Sequence, residues 1–258
     1  MSSQFRYLQS YQQMVSGLLQ LFPEDEAVSR AVGGNYEYFG VLEHALLRAH
    51  GLTPESSVID VGCGSGRLAM QLRRYPRLRY VGTDVVPQLL DYARRKTGRP
   101  DFRFEPVDAI TLPVPDAEAD FVAFFSVFTH LLHEESYVYL QEAHRALRPG
   151  GKVVFSFLEY ALQGAWPVFE ANLDWVRKRY LAGHLNVFMH RADLTLWAER
   201  LGFEVVAFQD GATPSIVVDS TTATEAVPPG TYALGQSACI LRKPLLDQPT
   251  QATQPPSG

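Results

Sequence analysis

Residues 58–66 read VIDVGCGSG. Val58, Ile59 and Val61 surround Asp60 in a short β-branched run that suits a strand buried on both faces of a parallel sheet. Gly62, Gly64 and Gly66 then remove every second side chain where that strand must turn. From Arg67 the stretch RLAMQLRRY sets Leu68 and Leu72 on one helical face. Strand, glycine turn and helix together let backbone approach a ligand closely and aim helix N–H groups at it. The same residues also suit a tight β–α turn that holds nothing, so the rest of the chain has to decide.

Outward from this stretch the chain alternates. RYVGTDV (79–85), FRFEPVD (102–108), ADFVAFFSV (from 119) and KVVFSFLE (152–159) predict further strands. Helices are predicted over QLLDYARRKTG after Pro87 and over ESYVYLQEAHRALRPGG, where Pro149 and two glycines stop it. Repeated strand–helix alternation with unbroken apolar strands implies a parallel sheet covered on both faces, an α/β fold. Upstream, the spacing predicts a helix over 4–21, a loop through PEDEAVSRAVGGNYEYFG, and a helix over 40–50 closing at Gly51. Past residue 160, ALQGAWPVFEANLDWVRKRY predicts an aromatic helical insertion, followed by a helix from Asp193 and strands FEVVAFQD and SACILRK. Residues 211–236 form a long connection between those strands, of the kind that carries function or lacks order. The expected organisation is an N-terminal helix and lid segment (1–39), a main domain (40–244) with a cap insertion at 160–190, and a disordered Pro-rich tail (245–258).

Of 258 residues, 46% are hydrophobic, 20% charged and 12% aromatic, a globular composition. The formal net charge of −5 speaks against a duplex nucleic-acid partner, which wants a basic face. Cys63 and Cys239 lie far apart without metal-ligand spacing, so a reducing, cytoplasmic compartment is expected. The first residues lack the basic start and continuous apolar core of a signal peptide, and FVAFFSVF (121–128) is too short to span a membrane. The basic stretches RRYPRLR and ARRKTGR fall at the far ends of helices and read as solvated faces rather than an RNA site.

In open parallel sheets the ligand lies off the carboxyl ends of the strands, where strand order reverses. A dinucleotide wants G-x-G-x-x-G there; this chain has G-x-G-x-G, with Arg67 at the position of the third dinucleotide glycine. Asp84 ends the second strand, where a carboxylate can accept both hydroxyls of a ribose. Asp108 ends the third, where it can accept from an adenine amino group. Strand-end aspartates also cap turns, so each alone is ambiguous.

Taken together, VIDVGCGSGRLA, YVGTDVV, FRFEPVDAITLPVPDAEADFVAFFSVFTHL and RALRPGGKVVFS resemble the class I S-adenosylmethionine-dependent methyltransferases, closely over residues 40–160 and more loosely over 193–243. The resemblance implies a Rossmann-like sheet of seven strands, six parallel and one antiparallel, with helices on both faces. It also implies S-adenosyl-L-methionine as cofactor: Asp60, Gly62, Cys63 and Gly64 at the methionine part, Asp84 and Val85 at the ribose, Asp108 and Ala109 at the adenine. Phe125 and Tyr36 would complete that cofactor set.

Methyl transfer needs orientation and water exclusion, and an oxygen nucleophile also needs a base. FSVFTHLLHEE places Ser126, Thr129, His130, His133 and Glu134 just past the fourth strand. His130 is the first candidate base, His133 the second, and Glu159 past the fifth strand a third. Tyr38, Phe39, Trp166 and Phe169 could close over the site, whereas Trp175 reads as cap core. His184 and His190 with Asp193 lack a spacing specific for metal, so no metal is expected. FFSV stands where base-directed amino-methyltransferases carry a N/D-P-P-Y/W tetrapeptide. That speaks against amino-group transfer to nucleic-acid bases; the expected activity is methyl transfer to a small-molecule or glycan-type acceptor, with O-methylation favoured and a sugar hydroxyl, phenol, carboxylate or amine left open. The alternatives are a non-catalytic cofactor-binding partner subunit and an NAD-dependent oxidoreductase.

Overall fold

The computed structural model describes residues 8–178 and 186–245. Three helices open the chain: α1 (Leu8–Leu21), α2 (Glu24–Ala31) and α3 (Tyr36–Ala49). The alternating core follows as β1 (Ser57–Val61), α4 (Arg67–Leu72), β2 (Arg79–Asp84), α5 (Pro87–Thr97), β3 (Arg103–Pro106), β4 (Ala119–Phe124), α6 (His133–Ala146) and β5 (Leu147–Glu159). After it come α7 (Trp166–Arg177), β6 (Phe188–Met189), α8 (Arg191–Leu201), β7 (Glu204–Gln209), β8 (Ile216–Val218), β9 (Gly230–Tyr232) and β10 (Ser237–Arg242).

The main sheet runs β3-β2-β1-β4-β5-β10-β7. The first five strands pair in parallel. β10 is antiparallel to both β5 and β7. The short β6 pairs parallel with the end of β5, at Leu158↔Phe188. Side-chain alternation splits the core in two. Val58, Val154 and Ile240 face α3 and α4, among Leu42, Leu46, Leu68 and Leu72. Ile59, Phe155 and Leu241 face the other side, among Phe124, Phe128, Leu140 and Leu194. A fully buried Leu or Phe contributes on the order of 1.5–3 kcal/mol, so both layers anchor the sheet from which the site projects.

Two stretches depart from their sequence reading. The expected loop before α3 contains α2, and the long connection 211–236 folds into the antiparallel β8–β9 hairpin. Ile216, Val218, Val227 and Leu234 of that connection are buried against α3. Among the described residues, no helix is long and apolar enough to cross a membrane. The tail from 246 onward, the chain before Leu8 and His184 lie outside the described residues.

Candidate active site

The strand order reverses between β1 and β4, and the carboxyl ends of β1, β2 and β4 meet there. Gly62 and Gly64 adopt φ of 66° and 53°, the left-handed region that side chains rarely enter. A Cβ on Gly62 would stand 2.6 Å from Val127 Cγ2, and one on Gly64 2.6 Å from Val32 Cγ1. The turn therefore needs glycine for both its path and its packing. Behind it, the Tyr36 hydroxyl donates to the Ser65 carbonyl at 2.9 Å and fixes the loop to α3.

Three adjoining cavities share Ser126, with volumes of about 350, 230 and 90 Å³. Asp60, Gly62, Cys63, Gly64, Phe125 and His130 all line the first. The smallest is bounded by Asp84, Val85 and Val107, and it shares Gly62 and His130 with the first. Tyr11 of α1 closes over both. A wider hollow of about 1050 Å³ lies behind the glycine turn, with Tyr36 on its wall. Its cations are largely paired, as Arg30–Glu26 and Lys96–Asp25 show, and none of the strand-end carboxylates reaches it.

Charge in the cleft is unbalanced. Burial pushes the Asp60 carboxyl up to about 8, with Glu43 adding to the rise and the Tyr80 hydroxyl, donating at 2.8 Å, opposing it. Burial raises Glu43 to about 7 against the opposing pull of Arg67, whose Nε lies 2.7 Å from Glu43 Oε1. Asp84 is raised to about 6, again by burial, although its two oxygens accept the Gly64 and Val86 N–H groups at 2.9 Å each. Three buried carboxyls thus line this end of the sheet, and of the three only Glu43 pairs with a guanidinium among the described residues, so the site favours a ligand bringing positive charge. Each Asp84 oxygen also keeps a lone pair for a ribose hydroxyl. The glycine cradle, the cavities and this charge fit a cationic sulfonium nucleoside that ends in an amino acid.

The remaining candidates separate. Asp108 is exposed and Ala109 partly buried, and neither lines the three cavities. His133 opens α6 with Nε2 donating to the Phe188 carbonyl at 3.0 Å and its ring edge-on to Trp197, outside the cleft. Glu159 is buried at the end of β5, where it pairs with Arg191 at 2.9 Å and accepts from Ser237 Oγ at 2.8 Å. Those partners already occupy its oxygens, and it too lies outside the cleft. His190 stacks on Tyr160, and no cluster of three metal-ligating side chains occurs among the described residues.

Sequence reasoning missed Glu43, Tyr11, Ser156 and Gln236, and read Arg67 only as a missing glycine. Glu43 left a signal, an acid inside the otherwise apolar run VLEHALL. Gln236 left none, because a loop residue distant in sequence reaches the cleft only through the fold.

Residues 59–155 match the family described as a methyltransferase domain. A demethylmenaquinone methyltransferase of Deinococcus radiodurans is 42% identical over 100 residues, 38% of this chain and 41% of that one. The chain thus spans well under two thirds of the length of this relative. The [4+2]-cyclase SpnF superposes with a TM-score of 0.61 at 18% identity, covering 95% of this chain and 98% of that one. Magnesium protoporphyrin IX methyltransferase of Synechocystis PCC 6803, with bound S-adenosylhomocysteine, gives 0.55 at 17% identity, covering 81% and 85%. At such identities the structures speak for the fold, and a fold hosts many chemistries. The sequence match and the strand-end site agree: residues 59–155 match the methyltransferase-domain family, and the sheet they build has the fold of the solved structures above.

Proposed function

We propose that the chain transfers a methyl group from S-adenosylmethionine to a hydroxyl of a small-molecule or glycan-type acceptor. The observation that carries this reading is a pair of adjoining cavities in which buried carboxyls share the walls with Ser126 and His130. When bound, the cofactor supplies a methyl carbon activated by a positive sulfur, which leaves as a neutral thioether. Asp84 takes the ribose hydroxyls, and Asp60 with Glu43 takes the ammonium of the amino-acid end. Arg67 meets the carboxylate of that end. His130 accepts the acceptor's hydroxyl proton as the oxygen–methyl bond forms. Tyr11 closes the cleft and keeps water out. The Deinococcus relative, named for a demethylmenaquinone, is in keeping with a small-molecule acceptor.

Calorimetry with S-adenosylmethionine, S-adenosylhomocysteine and NAD tests the cofactor assignment. Micromolar binding of the first two, lost in Asp84→Ala, is expected. Preference for NAD, or no binding of either sulfur nucleoside, would sink it. Where an acceptor is turned over, His130→Ala is expected to lower kcat about 100-fold or more with S-adenosylhomocysteine affinity unchanged.

A further inference from the structure

Ser126 is the first residue past Phe125, at the junction of all three cavities, and it is not a glycine although its φ is +60°. A side chain held in the left-handed region costs on the order of 1–3 kcal/mol, which surrounding contacts must offset. The contacts are visible. The Ser126 N–H donates to Ser156 Oγ at 2.8 Å. The Ser156 hydroxyl donates to Gln236 Oε1 at 2.8 Å. Gln236 Nε2 donates back to Ser126 Oγ at 3.2 Å. The ring of bonds has a fixed direction and joins the turn just past β4, the carboxyl-terminal part of β5 and the residue before β10.

Counting donors shows what the ring leaves over. Ser156 has spent its hydroxyl proton and accepts the Ser126 N–H. Ser126 keeps its own O–H proton, and Gln236 keeps the second hydrogen on Nε2. Both face a cavity wall they share with Phe125, with His130 across the first cavity. The edge presented to an acceptor is therefore two neutral donors beside an imidazole.

We propose that Ser126 and Gln236 are acceptor-specificity residues, aligned by Ser156, and that they select a neutral hydroxyl over a carboxylate or an amine. This rests on the methyl-transfer reading. A hydroxyl oxygen accepts from this edge with a lone pair while its proton points to His130, so both halves of the group are matched. A protonated amine has no lone pair for the donors and would sit against a positive sulfur. A carboxylate would bury a full charge against two neutral donors, beside the Asp60 and Glu43 carboxyls that the cofactor's ammonium holds ionised. Ser156 acts through Ser126 and is a positioning residue.

The test needs no knowledge of the natural acceptor. Protein labelled with ¹⁵N-glutamine and saturated with sinefungin, a cofactor analogue that carries an ammonium where the sulfonium stands, is titrated with phenol, benzoate and benzylamine, following the Gln236 side-chain amide by NMR. Phenol is expected to shift that amide saturably and to bind at least about tenfold tighter than the two charged rings. Gln236→Leu and Ser126→Ala are expected to weaken phenol about three- to tenfold, as one neutral hydrogen bond predicts. Ser156→Ala should weaken it comparably, while S-adenosylhomocysteine affinity, which also reports folding, stays unchanged in all three. No phenol-induced shift at Gln236, tighter binding of either charged ring, or phenol affinity indifferent to the substitutions would overturn the proposal. Failure of the wild type to bind S-adenosylhomocysteine would instead fail the cofactor reading, a separate result.

Discussion

At the scale of single residues, the glycine turn and the carboxyls beside it make different demands. Gly62→Ala forces a Cβ to 2.6 Å from Val127 in a left-handed backbone, so the turn must shift. S-adenosylhomocysteine affinity is expected to fall at least about tenfold by calorimetry, a loss of about 1.4 kcal/mol; unchanged affinity would show that the turn does not touch the ligand. The carboxyls predict a pH dependence. Asp60 and Glu43 titrate near 8 and 7 in the folded chain, far above their unfolded values, so the folded state holds protons that the unfolded state releases. Their contribution to stability is present below pH 4 and is lost as pH rises through 7 and 8. A ligand ammonium replaces those protons. S-adenosylhomocysteine should therefore bind more tightly at pH 8.5 than at pH 6, and Asp60→Asn should flatten that slope. Arg67, Tyr80, Cys63 and Asp84 face the same carboxyls and persist in the variant. Binding that weakens with rising pH would contradict this account. At this scale the sequence shows the motif residues, because backbone demands leave glycines and strand-end acids at fixed offsets. Gln236 and Ser156 are silent, since hydroxyls and amides occur everywhere and only the fold brings them together.

At the scale of elements, α1 is the part most directly coupled to the cleft. Val15, 1% exposed, packs with Val28, Ala31, Val86, Leu89 and Tyr92, and Gln12 Nε2 donates to the Val85 carbonyl at 3.4 Å. Val15→Asp buries an unpaired charge and is expected to release α1. Hydrogen exchange over 8–21 should rise, and S-adenosylhomocysteine should dissociate about tenfold faster in stopped flow. Unchanged dissociation would mean that Tyr11 does not gate the cleft. The helices α4 to α6 were legible because each carries an apolar stripe between strands. α2 was not. Its eight residues EDEAVSRA offer only Ala27, Val28 and Ala31 to the core, while Glu24, Asp25 and Glu26 suit its N-terminus electrostatically. That pattern is too short for periodicity to register. β8 and β9 are three residues each, and β8 packs on α3, so 211–236 reads as loop until that partner is seen.

At the scale of the whole molecule, strand order does what no single motif can. The reversal between β1 and β4 opens the crevice, and every cleft residue named above reaches it from a strand end or from the helices and loop that border it. β10 closes the other side. It lies between β5 and β7 with Cys239, Ile240 and Leu241 wholly buried, joining strands separated from it by the α7 cap and the β8–β9 hairpin. This placement matters while the protein is being made. On the ribosome, β5 and β7 emerge long before Ser237–Arg242, and until then each waits with an unpaired edge. Nascent chains are then open to association with one another. A chain ending after Gln236 should elute as aggregate in size-exclusion chromatography, and adding a peptide of residues 237–242 during refolding should recover the elution volume of the full chain. Recovery without the peptide would show that the sheet closes on its own. Synthesis from N- to C-terminus thus delivers the strand that joins β5 to β7 after both of them, which makes the pace of translation between Gln209 and Ser237 part of how the protein folds.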